Sequence, residues 1–369
     1  MILDFASDED WASVVDRLGG VDELAQSARS TKAFERVREI KTATQLLRLV
    51  LAYCVGKSGL RLTSAWAATI GLADISNVAL LKRLRKCSDW LEFLVARALA
   101  KHTRGTVHGR PIRLIDATSV PKAGAPAKRG NGVWRIHSAF DLPSERFSAF
   151  EVTDETGSER LDRIAVVKGE IRIADRVHLQ VDQIASVLEA GGDVVVRAGW
   201  KSARWFESDG TSFELTAELD KAKRLGLGKI DQPIWLGRKE ADPIKLRLVA
   251  LLKPDQAAEA ARRNARRAAQ RGGHQVSDAT LIAADWLIII TSLPENTFSD
   301  KDITDLYRLR WRVELAFKRL KSLIGLNGPP ATDKRSAKAY VLAHLLIMLL
   351  VEPILDELDV SPHWDHDID

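Results

Sequence analysis

The sequence predicts an α/β protein in which a helical N-terminal region precedes a core of alternating strands and helices. Up to about residue 109, apolar residues recur three and four positions apart, which is the spacing of amphipathic helices. Beyond Gly109 the pattern changes to alternation and short apolar runs, which are typical of strands. With 369 residues, of which 46% are hydrophobic, the chain is long enough for two or three domains with a substantial core.

The positive charge of the chain is concentrated in one segment. The net charge is only +5, but residues 31–110 contain fifteen Lys and Arg against five Asp and Glu. Such a local excess favours an anionic partner. The acidic first residues lack the basic region of a secretory signal, and the longest apolar run, 340–351, is too short to cross a bilayer. We therefore expect a cytoplasmic protein without membrane contact.

The cysteines and histidines exclude two classes of site. Cys54 and Cys87 are the only cysteines, and each lies in an apolar helical pattern, which favours reduced core thiols over a disulfide framework. The eight histidines are scattered along the chain, so a zinc site is not expected.

The N-terminal region is predicted to contain one acidic helix over 8–28, a longer helix over 31–56 and then a helical pair within 60–90. In that pair, Gly71 marks the turn and Ser76 caps the second helix. The basic residues of the second helix are Lys82, Arg83, Arg85 and Lys86. This outline fits a helix-turn-helix whose second helix enters the DNA major groove, and it fits a plain helical hairpin with a basic rim equally well.

The predicted core begins with short strands, and two of its strands end at an aspartate. The predicted strands are 112–116, 133–140, 146–153, 171–175 and 193–197, and the predicted helices are 158–167 and 178–190. An RNase H-like core has this order: three strands, a helix, a strand, a helix and a strand. Such a core still needs one helix packed across the sheet. Asp116 and Asp175 lie at the ends of their predicted strands.

A long segment separates this core from its last helix. Within 199–285, strand-like pieces are predicted near 211–218, 233–238 and 244–252, followed by an Ala/Arg-rich helix over 256–271. A buried strand at 286–292 then returns to the core, so the segment is interpreted as a β-rich insertion. The arginines of that helix could follow a phosphate backbone, although a solvated surface helix accounts for them more readily.

The last core helix is predicted between a capping-box-like start at 299–302 and Gly325. One face of it carries Tyr307, Arg310, Glu314 and Lys321 within about 60°, with Trp311 and Lys318 beside them. The adjoining flank is apolar, so the helix can pack on a core and expose a charged face. Taken alone, the charged face is equally consistent with ordinary ion pairs four residues apart.

Three acids from distant parts of the chain meet in this topology. Asp116 and Asp175 end neighbouring strands, and Glu314 comes from the helix that crosses the same end of the sheet. Carboxylates converging in this way suit hard divalent cations that also bind phosphate oxygens. Two such ions can activate a water molecule and stabilise the leaving oxygen in phosphoryl transfer, with no histidine base.

The helix and the acids together resemble a known family. The spacing of Tyr307, Arg310, Glu314 and Lys321 is similar to the Y-(2)-R-(3)-E-(6)-K signature of insertion-sequence DNA transposases of the aspartate–aspartate–glutamate (DDE) type. Residues 116–119 resemble that family's first-aspartate segment and residues 175–176 its second. The resemblance extends over about residues 30–350.

The resemblance implies roles for individual residues. It implies that Asp116, Asp175 and Glu314 are catalytic and bind two Mg²⁺ ions, for which Mn²⁺ could substitute. It also implies that Tyr307, Arg310, Lys318 and Lys321 hold the terminal phosphates with support from Arg197, and that Trp286 stacks on a base flipped from the duplex. Trp311 is a further candidate DNA contact on the same helix.

The implied reaction is cut-and-paste transposition by strand cleavage, hairpin formation and strand transfer. The implied partners are the terminal inverted repeats of the element, target DNA, and a second copy of the chain in a homodimeric synaptic complex. The corresponding divisions are a helical DNA-binding domain (1–110), an RNase H-like core in two parts (111–198 and 286–330), the insertion (199–285) and a C-terminal helix with an acidic tail (331–369).

Two other functions remain open from the sequence. A metal-dependent nuclease of the same fold would cut DNA without joining it, and the residues do not separate these two enzymes. A DNA-binding repressor would use the 60–90 unit and leave the core idle, although acids at all three positions argue against an idle core.

Overall fold

The structure is a computed structural model. It describes residues 5, 7–56, 58–100, 109–122, 132–323, 326, 328–330 and 333–357. Residue 325, predicted as a helix stop, lies outside the described residues.

The N-terminal region is helical, as the sequence predicts. Its helices are α1 (Asp8–Arg17), α2 (Gly20–Ser30), α3 (Ala43–Val55), α4 (Leu60–Thr69), α5 (Asn77–Lys86) and α6 (Ser88–Ala100). The prediction of one helix over 8–28 is wrong, because Gly19 and Gly20 have φ values of 97° and 89° and separate α1 from α2. The second predicted helix begins only at residue 43, where Thr42 and Gln45 form a capping box.

Within the described residues, nine strands form one mixed sheet in the order β3-β2-β1-β4-β5-β9-β8-β7-β6. The strands are β1 (Ile112–Pro121), β2 (Val133–Asp141), β3 (Arg146–Thr153), β4 (Ile171–Ala174), β5 (Asp193–Arg197), β6 (Trp205–Phe206), β7 (Lys229–Leu236), β8 (Ile244–Leu252) and β9 (Trp286–Thr291). Strands β1, β4 and β5 are parallel, and the other pairings are antiparallel. The predicted hairpin is confirmed in β2 and β3.

The strands of the predicted insertion continue this sheet beyond β9. The strand predicted over 211–218 is wrong, because helix α8 (Leu215–Arg224) occupies its second half. The predicted strand at 244–252 and the Ala/Arg-rich helix are confirmed as β8 and α9 (Asp255–Arg271), and a further helix, α10 (Asp278–Ala284), follows. The predicted insertion therefore shares hydrogen bonds with the core along β8 and β9.

Alternating side chains of the sheet pack into two cores. In β5, Val195 joins the core shared with the N-terminal helices, whereas Val194 and Val196 join the core on the other face. In β9, Ile289 and Ile290 are divided between the two cores in the same way. The second core includes residues of α8 and of α7 (Val181–Glu189), the helix predicted over 178–190. The sheet is thus covered on both faces.

The helix predicted over 158–167 is wrong. This segment is irregular, with a turn and bend at residues 161–164, and the guanidinium of Arg172 donates hydrogen bonds to the carbonyls of Leu161 and Ile164. Arg172 is itself fully buried and paired with Glu170, which also pairs with Arg113 at 3.0 Å. Because a buried guanidinium needs several acceptors, the segment wraps around Arg172 instead of bonding to itself.

The C-terminal part contains α11 (Asp300–Arg308), α12 (Trp311–Leu323) and α13 (Lys334–Glu357). Helix α13 confirms the predicted C-terminal helix. It packs mainly against α6, α3 and α5. The N-terminal helices and the C-terminal helix therefore share one core with the sheet. Among the described residues, no helix combines the length and apolar character needed to cross a membrane.

Candidate active site

The site is built around a break in the predicted last helix. The sequence predicts one helix over 299–324, but the structure has two, α11 and α12, with a turn at residues 309–310. Here the backbone N–H of Arg310 bonds to the carbonyl of Tyr307 at 3.0 Å, and that of Val313 bonds to the carbonyl of Arg310 at 3.3 Å. These three-residue bonds replace the four-residue bonds of an α-helix. The break lets α11 contact β4 and β5 while α12 contacts β1.

Arg310, at this break, connects the three predicted acids. Its Nη2 donates to Glu314 Oε1 at 2.5 Å, and its Nη1 lies 4.0 Å from Asp116 Oδ2. Its charge also lowers the pKa of Asp175. Asp116 belongs to β1, Asp175 follows β4 and Glu314 belongs to α12. One guanidinium therefore interacts with carboxylates from three separate elements.

Asp175 is held by a tyrosine and two arginines. The hydroxyl of Tyr307 donates to Asp175 Oδ1 at 3.3 Å, and Arg197 Nη1 lies 3.9 Å from the same oxygen. Burial alone would raise the pKa of Asp175, but the backbone N–H of Arg176 and the charges of Arg310 and Arg197 hold it below its ordinary value. Asp175 is therefore ionised at neutral pH.

Asp116 lies in a different environment. The prediction that it ends its strand is wrong, since β1 continues to Pro121 and Asp116 pairs with Ser138 of β2. Burial raises the pKa of Asp116 to about 6, against the backbone hydrogen bond from Ala117. The negative charge of Glu314 contributes to the same increase. Asp116 therefore becomes fully ionised only above about pH 6.

A fourth acid, Glu159, was not identified from the sequence. The charge of Glu159 raises the pKa of Asp116. Burial has the largest effect on the pKa of Glu159 and raises it, and the charge of Asp175 raises it further. Glu159 pairs with Arg135 of β2 at 3.5 Å. Glu159 lies in the segment that was predicted as a helix, and hydrogen bonds with distant residues, among them Arg172 and Gln183, hold that segment in place. No local sequence signal marks this position.

Comparisons with known proteins identify the family of the chain. Residues 107–350 match the family described as "Transposase DDE domain". The chain is also 38% identical to the transposase of insertion sequence element IS421 from Escherichia coli, over 96% of this chain and 97% of that protein. It has the same identity and coverage to InsL of insertion sequence element IS186A from Escherichia coli K12. The chain belongs to the DDE transposase family. It is therefore an enzyme that acts on DNA.

The residues of α12 that are predicted to contact DNA in this transposase differ in how exposed their side chains are. On α12, Trp311, Glu314, Lys318 and Lys321 fall within about 80° of one another, so this half of the predicted face persists after the break. Lys321 Nζ donates to the carbonyl of Ser119, on the same strand as Asp116, at 3.1 Å. Trp311 is 41% exposed and Lys318 is also exposed.

Trp286 lies apart from the surface of the site. It is the first residue of β9, its side chain is only 2% exposed, and it packs in the core that includes α7 and α8. Its ring therefore offers no stacking surface in this structure.

The predicted basic residues of α5 lie away from the acids. Lys86 pairs with Glu35 at 2.9 Å, and Arg85 pairs with Asp333 at 3.1 Å. The guanidinium of Arg83 lies 6.0 Å from the ring centroid of Phe34 and donates to the carbonyl of Arg36. Ser76 caps α5 as predicted. Most of the charge on this helix is thus bound within the molecule.

The acids have the chemistry of a metal site, although the described residues contain no group of three or more His, Cys, Asp or Glu arranged to hold an ion. Carboxylates are the donors that hard divalent cations prefer. In this structure Arg310 supplies a positive charge among those same carboxylates. The carboxylates therefore fit a divalent cation in composition, and the guanidinium of Arg310 is the cation paired with them in this structure.

Proposed function

We propose that the chain binds the ends of its mobile element and catalyses cut-and-paste transposition, by strand cleavage, hairpin formation and strand transfer. The observation that carries this proposal is Arg310, which interacts with Asp116, Asp175 and Glu314 from three different elements. Carboxylates brought together in this way are the ligands that hard divalent cations prefer, and two such ions can promote phosphoryl transfer without a histidine base.

The proposed catalytic core is RNase H-like and comprises residues 111–198 and 286–330. The order β3-β2-β1-β4-β5, with β2 antiparallel and β4 and β5 parallel to β1, supports this assignment. Residues 199–285 form the proposed insertion, although their strands extend the core sheet. We propose that residues 1–110 bind DNA and that residues 331–369 form a C-terminal helix and tail.

In the proposed mechanism, Asp116, Asp175 and Glu314 would hold two Mg²⁺ ions, which Mn²⁺ could replace. Such ions, when bound, supply Lewis-acid stabilisation of phosphate oxygens and an activated water. The pKa of about 6 keeps Asp116 ionised, and therefore able to act as a ligand, above that pH. Tyr307 already orients Asp175 through its hydroxyl.

Phosphate contacts in this proposal come from the cations that surround the acids. Lys318 and Lys321 lie on the face of α12 that carries Glu314. Arg310 would have to turn from Glu314 to reach a phosphate oxygen, and Arg197 would have to turn from Asp175. Charge-assisted bonds to phosphate are strong enough to offset the loss of a partly exposed pair.

The exposed ring of Trp311 supports a role in base stacking better than the buried ring of Trp286. Base–aromatic stacking contributes about 1–3 kcal/mol per base. We expect Trp311→Ala to slow hairpin formation by roughly 5- to 150-fold while first nicking changes less, as measured in a timed cleavage assay. Trp286→Phe is the control, because it keeps an aromatic ring in the core. If only this control slows hairpin formation, stacking belongs to Trp286.

We also propose that α4 and α5 contact duplex DNA, and that a homodimer assembles in the synaptic complex, since each end of the element requires an active site. Lys82 is exposed on α5, whereas Arg83, Arg85 and Lys86 would have to exchange their internal partners for phosphates.

The proposed function is tested with a supercoiled plasmid that carries candidate element ends. Incubated with protein and Mg²⁺, it should yield nicks, then hairpin ends, then integrated products. Nicks without hairpins or integrants would favour a nuclease. Binding to the ends without cleavage at any Mg²⁺ or Mn²⁺ concentration would favour a repressor with an idle core.

A further inference from the structure

Helix α9 stands out from the rest of the fold. It has 17 residues and is therefore about 26 Å long, but only two of its alanines, Ala258 and Ala269, are buried. Neither belongs to either hydrophobic core. The helix lies against α10, which itself contributes only partly buried residues to the second core. Burial of apolar surface therefore explains little of why the chain keeps this helix.

One arginine fastens α9 to the core. Arg262 pairs with Asp285, which is buried and also accepts from Lys223 of α8 at 2.6 Å. Asp285 comes immediately before β9, and its backbone carbonyl accepts from the N–H of Lys253. The helix is thus fixed to the end of the sheet through one side chain.

The other arginines of α9 lie on its exposed face. Arg266 and Arg263 are 60° apart around the helix, and Arg267 and Arg271 continue the same arc to about 140°. All four are exposed. Arg263 pairs with Glu259 at 3.2 Å, but within the described part of the chain Arg266 and Arg267 have no ion-pair partner.

The anchor of α9 lies at the same end of the sheet as the candidate active site, since Ala198, which follows Arg197, bonds to the carbonyl of Ile288 near the start of β9. Arg197, which lies 3.9 Å from Asp175, is close enough to Lys253 for its charge to add to burial in lowering the pKa of that lysine to about 8. Lys253 Nζ donates to the carbonyl of Ala284, next to the Asp285 that holds α9. Arg197 and Lys253 are therefore basic groups at the end of the sheet that carries both the acids and the anchor of α9.

We propose that the exposed arginine face of α9, formed by Arg263, Arg266, Arg267 and Arg271, is a contact for the sugar–phosphate backbone of duplex DNA that continues away from the active site. The partner is duplex DNA because every charged residue of the face beyond Glu259 is basic and the face belongs to an enzyme that acts on DNA. Arginine donates several hydrogen bonds in a planar fork that suits phosphate oxygens. The inference rests on the proposed function and adds a binding surface to it.

The test compares two double variants of the full-length protein. Arg266→Gln/Arg267→Gln removes two unpaired charges and keeps residues that favour helix. The matched control, Lys221→Gln/Arg224→Gln on α8, removes two charges that are already paired with Glu218 and Asp220. Binding to a duplex containing the element end and its flank is measured by fluorescence anisotropy across a range of salt concentrations.

The α9 variant should reduce the slope of log K against log salt by about two, since each phosphate contact contributes about 0.9. Between about 50 and 200 mM salt it should therefore lose roughly twelvefold less affinity than the wild type. The control should keep the wild-type slope. Hydroxyl-radical footprinting should show loss of backbone protection outside the cleavage point in the α9 variant only. Circular dichroism checks that both variants are folded.

Equal slopes and footprints for the α9 variant and the wild type would overturn this inference. The same result for both double variants would also overturn it, because it would show only a general effect of charge. If the wild type neither cleaves the end nor binds it, the proposed function fails. If the wild type cleaves and the α9 variant binds normally, only the role of α9 fails.

Discussion

Two basic helices, α5 and α9, lie in different parts of the molecule and hold their charges differently. In α5, Arg85 and Lys86 pair with acids from other segments, Asp333 and Glu35. In α9, four arginines line an exposed face on which Glu259 is the only paired acid. Both helices are basic, with four Lys and Arg among the ten residues of α5 and five Arg among the 17 residues of α9. Only the surroundings show which helix has charge available for a polyanion.

Intramolecular pairing decides how much a basic segment can contribute to binding a polyanion. A cation already bonded to a carboxylate must lose that bond when it binds phosphate, so its net contribution to affinity is smaller. Arg310 is an intermediate case, since it is paired with Glu314 in the same place where a phosphate is expected.

The largest effect should come from the acids, because neither basic helix carries out chemistry in this proposal. Glu314→Gln removes a proposed metal ligand and the charged partner of Arg310 but keeps the size of the side chain. We expect cleavage to fall roughly 10³-fold or more, while the Kd for the element end changes little. The measurements are a plasmid cleavage assay and fluorescence anisotropy. An equal loss of cleavage and binding would show that the acids and the DNA contacts are not separate.

The next effect concerns Asp116, whose carboxylate is partly buried without enough favourable contacts to offset the cost of burying its charge. Its pKa of about 6 in the fold is above that of an unfolded aspartate, so stability is lost as pH rises from about 4 to about 6. Asp116→Asn removes this dependence. We expect the variant to be more stable than the wild type by about 2–3 kcal/mol above pH 6, and equal to it below about pH 4.

The measurement for Asp116 is urea unfolding across this pH range in buffer that contains a chelator. Ser119→Ala, on the same strand, serves as a control for general effects of substitution in β1. A difference that does not depend on pH would contradict the assigned cause.

The third prediction compares the two basic helices directly. Arg85→Gln/Lys86→Gln removes two paired charges from α5, and Arg266→Gln/Arg267→Gln removes two unpaired charges from α9. We expect the α5 variant to change the salt slope of DNA binding by less than half as much as the α9 variant. Equal changes would mean that the pairs of α5 exchange readily for phosphates, and the comparison would fail.

The smallest effect should be the coupling free energy between Arg85 and Asp333. Arg85 and Asp333 are both partly exposed, and Asp333 also accepts hydrogen bonds from Ser336 at the start of α13. A double-mutant cycle with Arg85→Gln and Asp333→Asn should give a coupling of about 0–1 kcal/mol in urea unfolding. A coupling well above this range would show that α5 is fixed to α13 by this pair, and hence less able to release Arg85 to DNA.

The sequence predicts which acids form the candidate site, but it does not predict the arrangement of the elements around them. Asp116, Asp175 and Glu314 were selected from strand ends and helix spacing, and Arg310 contacts or electrostatically affects all three. The single helix over 299–324 was wrong because its two halves pack on different strands, which helix periodicity does not encode. Glu159 was missed because its segment is positioned by bonds from the distant Arg172.

Local patterns by themselves determined the helices and strands whose apolar residues repeat regularly, such as β5, β8, α9 and α13, together with the spacing of the signature residues. These features depend on neighbours within a few positions, so a linear pattern is enough to predict them. Tertiary structure alone decided the break at Arg310, the burial of Trp286, and which basic residues are paired. Each of these depends on which residues from distant parts of the chain become neighbours, because burial and ion pairing act through space.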